Sequence, residues 1–173
     1  MGSAKRGLTA EELERIHDEH VTAMYRHGMG LLRDEAAVRD ILQDVFVKLA
    51  EGRGSLAGAD SARAYLLRMV HHAAVDRMRR DKVRRDHAEK KAPEDIFQAS
   101  PDPDREAFRR QLEAALDQLP AEQREIVVLK LWEERTFDEI SRICDIPLNT
   151  AASRYRYALD KLRTLLRPAY EEL

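Results

Sequence analysis

The sequence predicts an all-α fold: two small helical domains, a helical bundle followed by a helix-turn-helix domain, joined by a flexible acidic linker. Three observations carry this. Apolar residues recur at helical spacing through most of the 173 residues, with no alternating strand pattern. Aromatics are scarce, at 6%, and the abundant residues are helix formers or charged groups. Residues 92–104 hold three prolines and four acidic groups without any periodicity, so they cannot bury enough apolar surface to fold alone. They mark the boundary. The expected division is a first domain at 10–91, a linker at 92–106 and a second domain at 107–170.

The elements follow in order. Leu13, Ile16, His20 and Met24 lie on one face of a first helix, and Val38, Ile41, Leu42, Val45, Phe46 and Leu49 form the stripe of a second. Asp34 is placed to cap that second helix. Gly52, Gly54 and Gly58 break the pattern, which makes 52–60 a loop. Asp60 or Ser61 caps a third helix with the stripe Tyr65, Leu66, Met69, Val70 and Ala73, which runs on into a basic segment from Arg77 to Arg85. Beyond the linker, Phe108, Leu112, Ala115, Leu116 and Leu119 make a helix ending near Pro120, and Ile126, Val127, Leu129, Lys130 and Leu131 mark the next.

The sharpest local signal lies near the end of the chain. Thr136-Phe137-Asp138-Glu139 is a capping box, in which the Thr hydroxyl accepts from a backbone N–H and the Glu carboxylate reaches back. The short helix it starts ends around Cys144, and Asp145-Ile146-Pro147 forbids continuation. A long helix follows from about Asn149, with Ala151, Tyr155, Ala158, Leu162 and Leu165 on one face and Asn149, Ser153, Arg156 and Arg163 opposite. Two helices joined by so tight a turn form a helix-turn-helix, whose second member can enter a DNA major groove.

The net charge of −2 conceals a strong division along the chain. Residues 63–91 carry 10 basic and 4 acidic groups, whereas residues 92–119 carry 3 basic and 7 acidic ones. Within 149–167, Arg154, Arg156, Lys161, Arg163 and Arg167 face Asp160 alone. Two basic helices separated by an acidic stretch suit a chain that meets nucleic acid twice.

Other classes fit poorly. There is no Walker-type phosphate loop, so no nucleotide-driven step is expected. His17 and His20 sit three apart on one helix, but no third ligand is suggested, so no metal is expected. No cofactor motif and no catalytic constellation appear, and Cys144, the single cysteine, reads as a small core residue. One cysteine cannot make an internal disulfide, and no apolar run is long enough for a membrane span or a signal peptide. A cytoplasmic protein without membrane insertion is the expectation.

Three motifs in order now meet a known family. The first is Asp40-Ile41-Leu42-Gln43-Asp44-Val45-Phe46-Val47-Lys48-Leu49. The second is Ser61-Ala62-Arg63-Ala64-Tyr65-Leu66-Leu67-Arg68-Met69-Val70, continued by His71-His72-Ala73-Ala74-Val75-Asp76-Arg77-Met78-Arg79-Arg80. The third runs from Leu119-Pro120-Ala121-Glu122-Gln123-Arg124-Glu125 through Thr136-Phe137-Asp138-Glu139-Ile140 to Ile146-Pro147-Leu148-Asn149-Thr150-Ala151-Ala152-Ser153-Arg154. Together they resemble the extracytoplasmic-function (ECF) branch of the sigma-70 family of bacterial RNA polymerase initiation factors, over about residues 15–167. Tyr65 stands where that family commonly has Trp, His71 and His72 where Arg and Asn are usual, and Ala152 and Tyr157 where basic residues are usual.

The resemblance implies a transcription initiation factor that directs core RNA polymerase to promoters and is not an enzyme. Its first domain would be region 2, which docks on the clamp helices of the largest polymerase subunit and opens the −10 element. Its second would be region 4, which docks on the flap of the second-largest subunit and reads the −35 element as duplex. It implies polymerase docking through Asp40, Gln43, Asp44, Phe46 and Lys48. Strand capture and backbone contact would fall to Ser61, Arg63, Tyr65, Arg68, His72, Arg77, Arg79, Arg80 and Arg84, although Tyr65 also fits a plain core position. Duplex reading would fall to Asn149, Thr150, Ser153, Arg154, Arg156, Tyr157, Lys161 and Arg163, with Arg154 equally suited to a salt bridge with Asp138 or Glu139. The implied partners are core polymerase, promoter DNA and an anti-sigma factor. The competing reading is a stand-alone helix-turn-helix regulator, but such proteins are usually dimers and no heptad helix appears.

Overall fold

The computed structural model describes residues 7–54, 56, 61–84 and 103–171. Among them are seven helices and no strand: α1 (Ala10–Leu32), α2 (Glu35–Ala50), α3 (Ala62–Arg84), α4 (Pro103–Asp117), α5 (Ala121–Leu131), α6 (Phe137–Cys144) and α7 (Leu148–Glu171). None of them is long and apolar enough to cross a membrane.

Local chemistry explains most of the helix ends. Thr9 and Glu12 form a capping box at α1 that the periodicity did not mark. Asp34 caps α2 as expected, its carboxylate accepting from the Ala37 N–H at 3.1 Å. Ser61 Oγ accepts from the Ala64 N–H at the start of α3. Arg33 closes α1 in the left-handed region at φ 53°, and Asp145 closes α6 at φ 54°. Helix α4 begins at Pro103, inside the stretch expected to be linker. The rest of that stretch, 92–102, lies outside the described residues, as do Asp60 and most of the loop from 55 onward.

Helices α1, α2 and α3 enclose one core, built on Met24, Met29, Val38, Val45, Leu49, Leu66 and Val70. Helices α4, α5 and α7 enclose a second around Leu116, Leu119, Val127, Ala158 and Leu162. A third cluster belongs to both halves. Ala23 of α1 and Leu67 of α3 pack with Ile126 and Leu129 of α5, Ile140, Ile143 and Cys144 of α6, and Ala151 of α7. Fully burying an aliphatic side chain of this kind contributes roughly 1.5–3 kcal/mol, so the seam is a substantial attachment. Helix α1 reaches it through small residues: a Cβ at Gly30 would lie 3.2 Å from Val128 Cγ2 of α5. Phe108 and Leu131 depart from the expected stripes, remaining 41% and 50% exposed because they point away from the faces that α4 and α5 pack.

Polar groups are drawn into the same seam. The buried Arg124 donates through Nε to Gly30 O at 2.6 Å and through Nη1 to Leu119 O at 3.2 Å and Leu116 O at 3.3 Å. One guanidinium thus satisfies carbonyls near the C-terminal ends of α1 and α4, groups a helix cannot satisfy internally. Burial, and secondly the neighbouring Arg33, lowers its pKa to about 10, which leaves it charged at neutral pH. Arg33 itself pairs with Asp117 of α4.

Candidate functional site

The helix-turn-helix is assembled by short-range bonds. Thr136 Oγ1 accepts from the Glu139 N–H at 3.2 Å, and the Glu139 carboxylate accepts from the Thr136 N–H at 2.8 Å. Those bonds, the backbone one foremost, hold the Glu139 carboxyl below the usual carboxylate range. The Asp145 N–H donates to Ser141 O, and Ser141 Oγ donates to Ile146 O at 2.6 Å. Both fasten the turn from which Pro147 and Leu148 start α7.

Helix α7 then divides as its spacing predicts. Ala151, Ala158 and Leu162 are buried, whereas Asn149, Arg156, Tyr157, Lys161 and Arg163 are exposed. The Arg156 guanidinium lies over the Tyr157 ring, 5.1 Å from its centroid, a cation–π contact that steers it along the helix surface. Ser153 Oγ donates to Thr150 O, and Lys161 Nζ donates to Gln118 O at 2.6 Å, tying α7 to the end of α4. Arg154 is half-buried and pairs with neither candidate carboxylate, because Arg142 takes Asp138 and Arg135 takes Glu139.

The second group of candidate residues meets in a groove of about 330 Å³ between α2 and α3, lined by Asp40, Gln43, Asp44, Lys48, Asp76, Arg77 and Arg80 among others. Residues assigned to docking and residues assigned to DNA therefore share one polar surface. Arg77 sits 3.3 Å from Asp81 and 3.8 Å from Asp40, and Arg79 sits 3.9 Å from Asp76. Exposed pairs of this kind hold their charges weakly, at roughly 0–1 kcal/mol, so the cations remain available to phosphates. Phe46 is half-buried on the α1–α2–α3 core with its ring 5.5 Å from that of His17.

Other candidates are placed differently. Tyr65 is half-buried against the same core, which favours the core side of its double reading. Ser61 is occupied as a helix cap, and Arg63 is joined to Glu133 of the second half. Arg68 and His72 are exposed on α3; partial burial, then the nearby His71 and Arg68, lowers the His72 pKa. The Arg84 side chain lies outside the described residues.

The junction between the halves was not legible in the sequence. Glu133 is fully buried and takes both Arg26 of α1, at 2.7 Å, and Arg63 of α3. Beside it His71 Nδ1 lies 2.6 Å from Glu125 Oε1, and His27 Nε2 lies 3.3 Å from the same oxygen. The only sequence signal was ionisable residues at the edge of apolar stretches, His27 before Gly28-Met29-Gly30-Leu31 and Arg124-Glu125 before Ile126-Val127-Val128.

Two family models match this chain in order: sigma-70 region 2 over residues 16–84, and sigma-70, region 4 over residues 109–162. The RNA polymerase sigma factor CarQ of Myxococcus xanthus is 30% identical over 156 residues, covering 90% of each chain. The ECF RNA polymerase sigma factor SigX of Bacillus subtilis is 23% identical over 167 residues, covering 91% of this chain and 86% of its own. The chain is an ECF sigma factor of the sigma-70 family. The fold of this sigma factor also matches a solved structure, the sigma factor RpoE in complex with the anti-sigma factor NepR from Bartonella quintana. The TM-score is 0.72 at 19% identity, covering 91% of this chain and 98% of that one. Region 2 of this sigma factor thus corresponds to α1–α3, and region 4 begins within α4 and ends in α7. As a sigma factor, the protein is a promoter-directing transcription initiation factor.

Proposed function

We propose that α2 docks this sigma factor on the clamp helices of core RNA polymerase, that α3 opens the −10 element and that α7 reads the −35 element. The observation that carries this reading is the division of α7. Its apolar face is fully used by Ala151, Ala158 and Leu162, while Asn149, Arg156 and Arg163 stay exposed on the far side. An Arg that reaches guanine O6 and N7 discriminates by roughly 1–3 kcal/mol. Arg79, Arg80 and Arg77 then hold phosphates, a contact that adds salt-dependent affinity without sequence information. Strand opening draws on binding energy alone, with unpaired bases captured near the start of α3. The work takes place in the cytoplasm, where polymerase and promoter are, and an anti-sigma factor holds the protein inactive until it is released. The activity needs no catalytic residue.

The packing of the halves bears on this reading. Arg63 and Leu67 of α3 face α5, α6 and Glu133, so that side of the strand-opening helix is covered until the halves part. Purified protein, added to core polymerase with a promoter library, is expected to yield specific run-off transcripts. Operator binding without polymerase, and no transcripts with it, would instead favour the stand-alone regulator.

A further inference from the structure

At the seam between regions 2 and 4, three helices each contribute one metal-ligating side chain. His27 of α1, His71 of α3 and Glu125 of α5 are all buried, and their ligand atoms lie within 4.8 Å of one another. The carboxylate is already the centre of the group, 2.6 Å from His71 Nδ1 and 3.3 Å from His27 Nε2. A second observation is independent of that spacing. His27 is completely buried, yet neither of its ring nitrogens makes a hydrogen bond. An imidazole sealed from water with both nitrogens unsatisfied is costly, and native structures rarely keep such groups without a use.

We propose that His27, His71 and Glu125 form a site for a divalent first-row transition ion, Zn²⁺ in the first place, which staples region 2 to region 4. Two imidazoles and one carboxylate are a donor set that Zn²⁺ accepts with a fourth position open, and imidazole nitrogen favours Zn, Cu, Fe and Ni over Mg or Ca. Because His27 and His71 belong to region 2 and Glu125 to region 4, the site is complete only while the halves are packed. An ion bound there favours the packed arrangement by mass action and opposes exposure of the covered side of α3. That regulatory consequence rests on the proposed function; the binding itself does not.

The test uses the untagged full chain, stripped of metal. Calorimetry with Zn²⁺ alone is expected to give one site per chain, and Co²⁺ alone is expected to develop visible absorption typical of four-coordinate geometry. His71→Gln and Glu125→Gln should each weaken Zn²⁺ binding by more than about tenfold, the scale that loss of an outer-shell partner already reaches. His17→Gln and His20→Gln, on the same helix as His27 but away from the seam, should change nothing. Should the seam variants fail to fold, X-ray absorption at the zinc edge of the wild type decides: scattering from two imidazoles is expected. No uptake of Zn²⁺ or Co²⁺ by the folded wild type, equal affinity in the two seam variants, or a shell without imidazole would overturn the site. Run-off transcription by the metal-free protein separates the outcomes, since its absence would overturn the functional reading and leave the metal result standing.

Discussion

Glu133 Oε1 accepts from Arg26 Nη1 at 2.7 Å, and the other oxygen of the same buried carboxylate takes Arg63. One side chain from the corner after α5 therefore ties down α1 and the N-terminal end of α3 together. The arginines keep partial contact with water while the carboxylate has none, so the cost of breaking the group depends on which partner is removed.

Glu133→Gln keeps the shape and removes the charge. The two guanidiniums can rehydrate, so the expected loss is about 1–3 kcal/mol rather than that of a stranded buried ion. Denaturant melts and hydrogen exchange should locate the loosening at the α1–α5 and α3–α6 contacts. Unchanged exchange there would mean the apolar seam alone holds the halves.

Arg156 and Arg79 should differ in kind. Arg156→Ala is expected to lose about 1–3 kcal/mol at one upstream promoter position and to relax the preference there. Arg79→Ala should weaken open-complex formation on all promoters alike and reduce the salt slope by about one unit. Transcription from single-base promoter variants at two salt concentrations reads both. A uniform loss for Arg156→Ala would transfer base reading to Asn149 and Ser153.

Reversing the charges of Asp40 and Asp44 should weaken binding to core polymerase without unfolding the protein, since both carboxylates are exposed on the α2–α3 groove. The variant's melting temperature should stay within the small range typical of surface changes. Full retention of the double variant in a polymerase pull-down would remove this groove as the docking face.

The capping box carries a pH signature. Glu139 binds its proton less readily in the folded state than in the unfolded chain, because Thr136 donates to its charged form. The stability this adds is present above the unfolded value of about 4.3 and is lost as pH falls through the lower folded value. Glu139→Gln should therefore be less stable than the wild type at neutral pH, with the gap closing on acidification. A gap independent of pH between neutral and acid melts would exclude the charge as its origin.

How much was legible follows from the range of each interaction. The Thr136–Glu139 box, the Asp34 cap and the Asp145-Ile146-Pro147 turn join residues within a few positions, so sequence alone determined them. The same holds for the apolar faces of α1, α3 and α7, whose period is set by the helix itself. With three motifs in order, that local record sufficed to place the chain among the ECF sigma factors.

What only the tertiary structure decided is where those faces meet. Lys161 on Gln118 O, Arg63 on Glu133 and His71 on Glu125 join residues 43, 70 and 54 positions apart. Periodicity carries no information about such pairings. Arg63 read as a nucleic-acid contact because it lies in the Ser61-Ala62-Arg63 motif that carries the family resemblance, and it became an interdomain tie because α3 lies across α6. His27, Arg124 and Glu125 stand beside apolar residues in the sequence, with nothing local to mark them as buried. Burial is set by the summed packing of distant helices, while the charge of a side chain is set by its type. Their coincidence at one seam emerges only when both halves are folded against each other.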